Sequence, residues 1–252
     1  MRRFGTIDTR AAREEQARRV DARLQEVATV IGAIASSKPS DAQVAEARVV
    51  QLACAAELGA SRTALHLQRV GRYVALLACA LEWPDDRVEM LRVASLLHDV
   101  GKAGIPDEVL LSDGLFTRDD RSRMEPHAEI GHALLVGKGS ELLDMGARVA
   151  LSHHERVDGT GYPNGLRAHA IPLEGRIVAI ADVFDALTTE RRYKPAMNLI
   201  QARALMMANR GAHFDAVLLD LFFERSDVLL SIRRRWTEPH RRLRARSSPG
   251  GG

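Results

Sequence analysis

The chain has 252 residues, of which 46% are hydrophobic and 4% aromatic, and this composition suits a helical protein with a sizeable core. Its formal charge of +3 arises from the arginine-rich segment Arg233–Arg246, so the charge does not indicate a nucleic-acid-binding domain. The two cysteines give no sign of a disulfide framework, and no apolar run approaches the length of a membrane span. The basic N-terminus lacks the apolar stretch of a secretory signal, which leads us to expect a cytoplasmic protein.

Apolar residues recur at helical spacing along most of the chain, beginning with a predicted helix from about Ala11 to Ala35. Within it, apolar residues from Val20 to Ile34 alternate spacings of four and three, which makes a short heptad stripe. Such a stripe is typical of a helix that packs on its own domain, or of one that dimerises or carries a signal. Further helices are predicted at about 42–58, 63–81, 84–100, 107–111, 117–127, 128–136, 141–153, 174–189, 199–209 and 215–224.

No segment shows the alternation of a strand, and the stretch 156–172 contains five glycine or proline turn signals that predict a long loop. From Ser226 onward the helical periodicity is lost, and Ser247–Gly252 has the composition of a disordered end. We therefore predict an all-α fold with an N-terminal helical extension at 1–41. One domain would follow at 42–226, and a basic, largely disordered tail at 227–252.

Five of the nine histidines fall, together with two aspartates, into a set of metal-type ligands. A single histidine on an apolar helix is usually an ordinary core residue, but the aspartates of this set lie in apolar sequence, where an unpaired carboxylate is costly to bury. A metal ion would remove that cost. Imidazole and carboxylate ligands without a thiolate suit iron, manganese or zinc. The candidates are His66, His98, Asp99, His127, His153, His154 and Asp182.

Four extended motifs contain or adjoin most of these residues, in the order HDVGKAGIPDEVL, PHAEIGHALL, HHERVDGTGYPNGL and RIVAIADVFDALTTERRYK. From about Glu57 to Phe222 the chain closely resembles the HD-GYP family, a branch of the HD superfamily of metal-dependent phosphohydrolases. The resemblance implies an HD-superfamily helical bundle. It also implies a cyclic di-GMP phosphodiesterase of bacterial signalling, with a binuclear or trinuclear centre of iron or manganese.

The resemblance further implies a role for each matching residue. Asp99 would bridge two ions and Lys102 would contact the phosphate, so these two are the predicted catalytic residues. The first ion would be held by His66, His98, Asp99 and Asp182, and the second by Asp99, His127, His153 and His154. The substrate would be bound by Lys102, Tyr162, Pro163, Arg191 and Lys194. Asp185, one helical turn after Asp182, would orient a ligand without itself binding an ion.

One departure from the family bears on the number of ions. Trinuclear members carry a glutamate four residues before the first ligand histidine, and here that position is Arg62, whose positive charge opposes a third cation. We therefore expect two divalent ions. A hydroxide bridging them would attack in line and release linear pGpG, with further cleavage to GMP left open.

Alternative functions and partners stay open at this point. The chain could act on another nucleotide as other HD-type phosphohydrolases do, or on a related cyclic dinucleotide such as cyclic GMP-AMP. It could also be a low-activity regulatory module that binds a signalling protein, such as a diguanylate cyclase, through the loop around Tyr162. A homodimer through the N-terminal helix is a further expectation, whereas DNA and a membrane span are not expected. Trp236 and its flanking arginines could meet an acidic partner or anionic lipid, although a solvated tail is the simpler interpretation.

Overall fold

The computed structural model describes residues 9–36, 42–56, 60–111, 118–190 and 195–236, and within these ranges the chain forms α-helices and no strand. The all-α prediction is therefore confirmed. Short 3₁₀ turns occupy Ser95–Leu97, Val100–Gly104 and Ala168–Ala170. The helices are α1 (Thr9–Ala35), α2 (Ala42–Ala56), α3 (Ala60–Ala80), α4 (Asp85–Ala94), α5 (Asp107–Leu110), α6 (Arg118–Met124), α7 (His127–Leu135), α8 (Glu141–Ser152), α9 (Leu173–Thr188), α10 (Leu199–Met207), α11 (Ala216–Glu224) and α12 (Ser226–Arg235).

Two predicted helices differ from the observed ones near candidate ligands. The helix predicted to reach Val100 ends at Ala94, and the chain then tightens into two 3₁₀ turns, which apolar spacing alone cannot distinguish from a continued α-helix. His127 was expected near the end of a helix, but it begins α7 instead. The preceding Pro126 lacks an amide hydrogen and disfavours the helical conformation of the residue before it, so α6 and α7 are separate helices.

The C-terminal segment is the clearest correction. Loss of periodicity from Ser226 was predicted, yet Ser226–Arg235 forms α12. Leu229 is fully buried and Ile232 packs on the same hydrophobic cluster, so tertiary contacts stabilise a helix whose sequence is mostly polar. The expected disorder of the remaining tail, 237–252, concerns residues outside the described part of the chain.

The larger hydrophobic cluster joins α3, α4, α8, α9, α10, α11 and α12 around an aromatic centre. The Tyr73 ring meets the rings of Phe184 and Phe222 edge-on, with centroids 5.1 and 6.1 Å apart. Edge-to-face contacts of this kind favour one relative orientation of the packed helices. Consequently α3 and α9, which carry His66 and Asp182, are held in a defined register.

A second cluster unites α1 and α2 with α4, α8 and the turn that follows α4. The heptad stripe of α1 enters it, because Val27, Ile31 and Ile34 are all buried there. In addition, Arg23 Nη2 donates a hydrogen bond to Ile105 O (2.7 Å), and Nη1 lies 2.8 Å from an Asp107 carboxylate oxygen. The N-terminal helix therefore packs on the domain that contains the candidate site.

Five separate elements bring the candidate ligands to one place. α8 packs against α4, α7 and α9, while α3 packs against α4 and α9. His66 comes from α3, the HD pair from the turn after α4, His127 from the start of α7, the histidine pair from the end of α8 and Asp182 from α9. None of the described helices is long and apolar enough to cross a bilayer.

Candidate metal centre

The seven predicted ligands converge as two adjacent groups. Within each group, every residue offers one ligand atom that lies within 4.8 Å of the others. Sequence separations that exceed a hundred residues, as between His66 and Asp182, are thus closed by packing of the helices. The first group is His66, His98 and Asp182, and the second is Asp99, His127, His153 and His154.

Asp99 lies between the groups and directs one carboxylate oxygen toward each. Its Oδ2 is 3.2 Å from Nε2 of His98, in the first group. Its Oδ1 is 3.3 Å from Nε2 of His127 and 3.7 Å from Nε2 of His153, in the second group. One carboxylate that faces two sets of nitrogen ligands is suited to bridge two cations.

Hydrogen bonds donated by the outer ring nitrogens define the tautomers of the histidines. Nδ1 of His98, His127 and His153 each meets the carbonyl oxygen of the residue three positions earlier, at 2.8, 2.7 and 3.0 Å. A carbonyl oxygen can only accept, so Nδ1 carries the proton and Nε2 keeps its lone pair. His66 follows the same rule, because its Nδ1 lies 2.8 Å from Asp185 Oδ2. All four Nε2 atoms are therefore ready to bind a cation.

Several of these inward-facing atoms lack a hydrogen-bond partner. Nε2 of His127, Nε2 of His153 and Oδ1 of Asp99 are buried, and no described residue forms a hydrogen bond with them. Buried polar atoms are nearly always satisfied, and three unsatisfied ones in a single place need an explanation. All three are of ligand type, so these residues fit a bound metal ion.

Protonation states agree with this interpretation. Burial lowers the pKa of His127 to about 4, and burial together with the neighbouring histidines lowers the pKa of His154 well below its usual value. Both imidazoles are therefore neutral at pH 7, which is the form that binds cations. Burial by itself would raise the pKa of Asp99, but Lys102 and the surrounding histidines hold it well below its usual range. The Lys102 ammonium donates to Asp99 Oδ2 at 2.5 Å.

The Asp185 carboxylate orients the His66 ring and is also paired with the guanidinium of Arg69. Arg69 donates to both of its carboxylate oxygens, from Nε at 2.6 Å and from Nη2 at 3.0 Å. Burial would raise the pKa of Asp185, but the contacts with His66 and Arg69 lower it, so the carboxylate is ionised. Sequence analysis did not identify Arg69; its one signal is an arginine in an apolar helix, three residues after His66.

Tyr162 lies directly beside the second group. Its ring stacks on His154 with centroids 4.6 Å apart at 26°, and it meets His127 edge-on at 6.3 Å. Pro163 follows it in the same loop, joined by a cis peptide bond. The loop 156–172, called the GYP loop here, thus closes one side of the candidate centre.

Glu155 holds the GYP loop in this position. Its buried carboxylate accepts hydrogen bonds from two backbone amides of the loop, those of Asn164 (2.8 Å) and Leu166 (2.9 Å). Gly161 permits the close return of the chain, because a Cβ there would lie 2.4 Å from the backbone nitrogen of Arg156. Glu155 therefore organises the loop that carries Tyr162.

The remaining candidates fall outside these contacts. Arg191 and Lys194 lie outside the described residues, as does the side chain of Arg62. His132 directs Nδ1 to Ala147 O at 3.2 Å, away from the centre. The other described histidines are His169, which is exposed, and His213, which stacks on Phe214.

Comparison with known proteins decides the family. The HD domain family model matches residues 20–218. The chain belongs to the HD domain family. This HD domain is 45% identical, over 68% of the chain, to the cyclic di-GMP phosphodiesterase response regulator RpfG of Xanthomonas campestris. It is 40% identical, over 73% of the chain, to the 3'3'-cGAMP-specific phosphodiesterase 2 of Vibrio cholerae. The chain spans only 45% and 35% of the lengths of these two proteins.

Solved structures show the same fold. The HD-GYP-type protein Bd1817 of Bdellovibrio bacteriovorus superposes with a TM-score of 0.56 at 16% identity, covering 82% of this chain and 71% of that one. A cyclic GMP-AMP-specific phosphodiesterase of Vibrio cholerae gives a TM-score of 0.50 at 20% identity, covering 75% of this chain and 52% of that one. The family recognised in the sequence, and its helical bundle, are confirmed.

Proposed function

We propose that this HD domain is a metal-dependent phosphodiesterase that hydrolyses cyclic di-GMP to linear pGpG. The observation that carries the proposal is the convergence of seven ligand-type side chains in two groups that share Asp99. The substrate class is supported by the relatives, because RpfG, at 45% identity, is named a cyclic di-GMP phosphodiesterase.

Two divalent ions, iron or manganese, fit the donor set. Nitrogen and oxygen donors without a thiolate suit both metals. When bound, the ions would supply a water deprotonated at neutral pH and positive charge beside the phosphodiester. The first would be held by His66, His98, Asp99 and Asp182, and the second by Asp99, His127, His153 and His154.

A count of two ions rather than three is supported by Asp185 and Arg62. The Asp185 carboxylate is already neutralised by the paired Arg69 guanidinium, and both of its oxygens accept hydrogen bonds, so it is a poor ligand for a further cation. Residue 62 is an arginine, at the position where the family resemblance implies the glutamate ligand of trinuclear members. Both features disfavour a third site.

Lys102 has two tasks in the proposed reaction. Its ammonium keeps Asp99 ionised through their 2.5 Å contact. Being only half-buried, it can also place its charge against a phosphate oxygen, where negative charge increases in the transition state. Hydrolysis breaks the bond from phosphorus to the 3′ oxygen, phosphorus gains the water oxygen, and the departing 3′ oxygen takes a proton.

Substrate positioning is proposed for the GYP loop and for the segment after α9. The Tyr162 ring, fixed beside His154, offers an aromatic surface against which a guanine can pack, with Pro163 next to it. Arg191 and Lys194 would hold the second phosphate or a guanine, as bidentate and point-charge donors respectively. Onward cleavage of pGpG to GMP would use the same residues.

A second candidate substrate is 3'3'-cyclic GMP-AMP. The Vibrio cholerae relative named for that specificity is 40% identical over 73% of the chain, close to the value for RpfG. The two dinucleotides share the phosphodiester chemistry and differ in one purine. Their ratio of kcat/KM therefore reports the base-contacting residues rather than the metal centre.

The experiment is turnover of both dinucleotides by purified protein loaded anaerobically with manganese or iron. His98→Ala and Asp99→Ala should lose activity while staying helical by circular dichroism. His169→Ala is the matched control, because this exposed histidine lies outside both groups, and it should keep wild-type activity. Retained turnover in Asp99→Ala would contradict the bridging role.

Elemental analysis separates the enzyme from the other classes. We expect two ions per protomer. Less than one ion, with no turnover of either dinucleotide, would overturn the proposal in favour of a regulatory module that binds a signalling protein through the GYP loop. Turnover of a phosphomonoester nucleotide alone would favour another HD-type phosphohydrolase.

The interaction partners and the location stay predictions. A diguanylate cyclase or other signalling protein would meet the GYP loop, and the cytoplasm is the expected compartment. A homodimer through α1 would have to use faces other than the heptad stripe, because Val27, Ile31 and Ile34 are buried against the chain's own domain.

A further inference from the structure

The end of α12 touches the hydrogen-bond network behind the candidate metal centre. This helix lies beyond residues 20–218, which the HD domain family model matches. Nevertheless the backbone carbonyl of Trp236, the residue after α12, accepts a hydrogen bond from Arg69 Nη1 at 2.8 Å. A segment outside the family match is therefore bonded to a buried arginine of α3.

Arg69 connects that carbonyl to a ligand histidine through one intermediate residue. Its guanidinium pairs with both carboxylate oxygens of Asp185, at 2.6 and 3.0 Å. Asp185 Oδ2 in turn lies 2.8 Å from Nδ1 of His66. Three successive hydrogen-bonded contacts thus join Trp236 to His66, and Arg69 and Asp185 are both buried along the way.

The Trp236 ring makes a second contact, independent of its carbonyl. The guanidinium carbon of Arg72 lies 4.6 Å from the ring centroid, within the range of a cation–π interaction. Arg69 and Arg72 are one helical turn apart on α3, so one residue engages both. Leu229 and Ile232 anchor α12 in the large hydrophobic cluster, which places Trp236 reproducibly.

We propose that Trp236 is a positioning residue for His66, so that α12 forms part of the metal-binding unit; this rests on the proposed function. Arg69 is held by Asp185 at one end and by the Trp236 carbonyl at the other. The Trp236 ring, held against Arg72, fixes where that carbonyl lies. Without the ring the carbonyl moves, the Arg69 guanidinium shifts, and the Asp185 carboxylate that is paired with it shifts too. Residues that support ligand histidines in this manner typically contribute about 10–100-fold to metal affinity.

The test is calorimetric titration of the metal-free 252-residue chain with Mn²⁺. Trp236→Ala should weaken one of the two Mn²⁺-binding events by roughly three- to tenfold. Asp185→Asn changes the direct partner of His66, so it should weaken the same event more, by about tenfold or more. Trp236→Phe keeps an aromatic face for Arg72 and should stay within about twofold of wild type.

Trp83→Ala is the matched control. Trp83 also packs on the large cluster and also has an arginine over its ring, Arg87 at 5.1 Å, but none of its described contacts leads to His66. Both alanine variants should lower Tm, and only Trp236→Ala should lower Mn²⁺ affinity. Equal loss of affinity in the two variants, or none in Trp236→Ala, overturns the inference.

A second measurement leaves Trp236 in place. Coupling between two sites is reciprocal in free energy, so an ion whose binding is strengthened by the Trp236 contact must strengthen that contact in return. We expect the tightened contact to change the surroundings of the Trp236 ring. In a Trp83→Phe background Trp236 is the one remaining tryptophan of the sequence, and its emission should change on titration with diamagnetic Zn²⁺. If Zn²⁺ binds stoichiometrically and the Trp236 emission stays unchanged, the inference about Trp236 is overturned but the proposed function is not. A wild-type chain that binds no ion in either titration overturns the proposed function as well.

Discussion

Among substitutions that add one methyl group, Gly101→Ala is the one that we expect to damage the candidate metal centre most. Gly101 lies two residues after Asp99, where the 3₁₀ turn crosses the first turn of α7. A Cβ at this position would lie 1.9 Å from the backbone oxygen of His127 and 2.4 Å from the backbone nitrogen of Gly131. Both atoms belong to a helix backbone, so no side-chain rotation can relieve the overlap.

The size of the effect follows from these distances. Ordinary van der Waals contact begins near 3.4 Å, so α7 would have to retreat by about 1.5 Å. Overpacking that flexible side chains can absorb costs about 1–3 kcal/mol. Because rigid backbone is displaced here, we expect a loss of about 4 kcal/mol or more in the free energy of unfolding. The contact between His127 and Asp99, now 3.3 Å, would open at the same time.

Urea unfolding followed by circular dichroism, with elemental analysis of the folded protein, measures both consequences. Gly32→Ala is the matched control, since a Cβ there, in the last turn of α1, would meet no atom within 4 Å outside the backbone of its own helix. That variant should lose no stability and gain at most about 0.5–1 kcal/mol, because alanine is the better helix former. The reasoning is refuted if Gly101→Ala binds two ions and its free energy of unfolding lies within about 1 kcal/mol of the wild-type value.

Three further predictions concern the centre and its frame. Lys102→Met should lower kcat about a hundredfold, because a charge that stabilises the transition state is lost. Elemental analysis of this variant should still find two ions. An unchanged kcat would show that Lys102 takes no part in the chemical step. Chelation should abolish turnover and destabilise the fold by about 2.7 kcal/mol for an ion supplied at 100 times its Kd, a loss that thermal unfolding with and without chelator measures. Burial would raise the pKa of Asp215, but Arg176, 2.7 Å away, and two backbone amides of α11 lower it. A depressed folded pKa gives stability that is present above the unfolded pKa of about 3.9 and is lost as pH falls through the folded pKa. Asp215→Asn keeps a helix cap but loses the charge that pairs with Arg176, so it should be less stable than wild type at pH 7. The urea midpoints of the two proteins should begin to converge as the pH falls below about 4.

Much of the candidate site was accessible from sequence because its chemistry needs particular residue types. Histidine pairs, carboxylates in apolar sequence and a glycine-rich loop are local signals, and all seven ligand candidates lie in the two observed groups. The helices were similarly accessible, since burial of one face imposes a 3.6-residue repeat. Where that repeat is short or mostly polar, as at Ser95–Leu97 and in α12, the prediction was wrong.

Tertiary packing alone decided how the candidate ligands are arranged and supported. Nothing local to Asp99 indicates that its two oxygens face different histidine groups, and the outer hydrogen bonds of the histidines depend on how helix ends are oriented. Arg69 meets Asp185 across 116 residues and Trp236 across 167. Periodicity reports which face of a helix is buried, but not which distant residue lies opposite it, and for that reason the support behind His66 could be seen only in the folded chain.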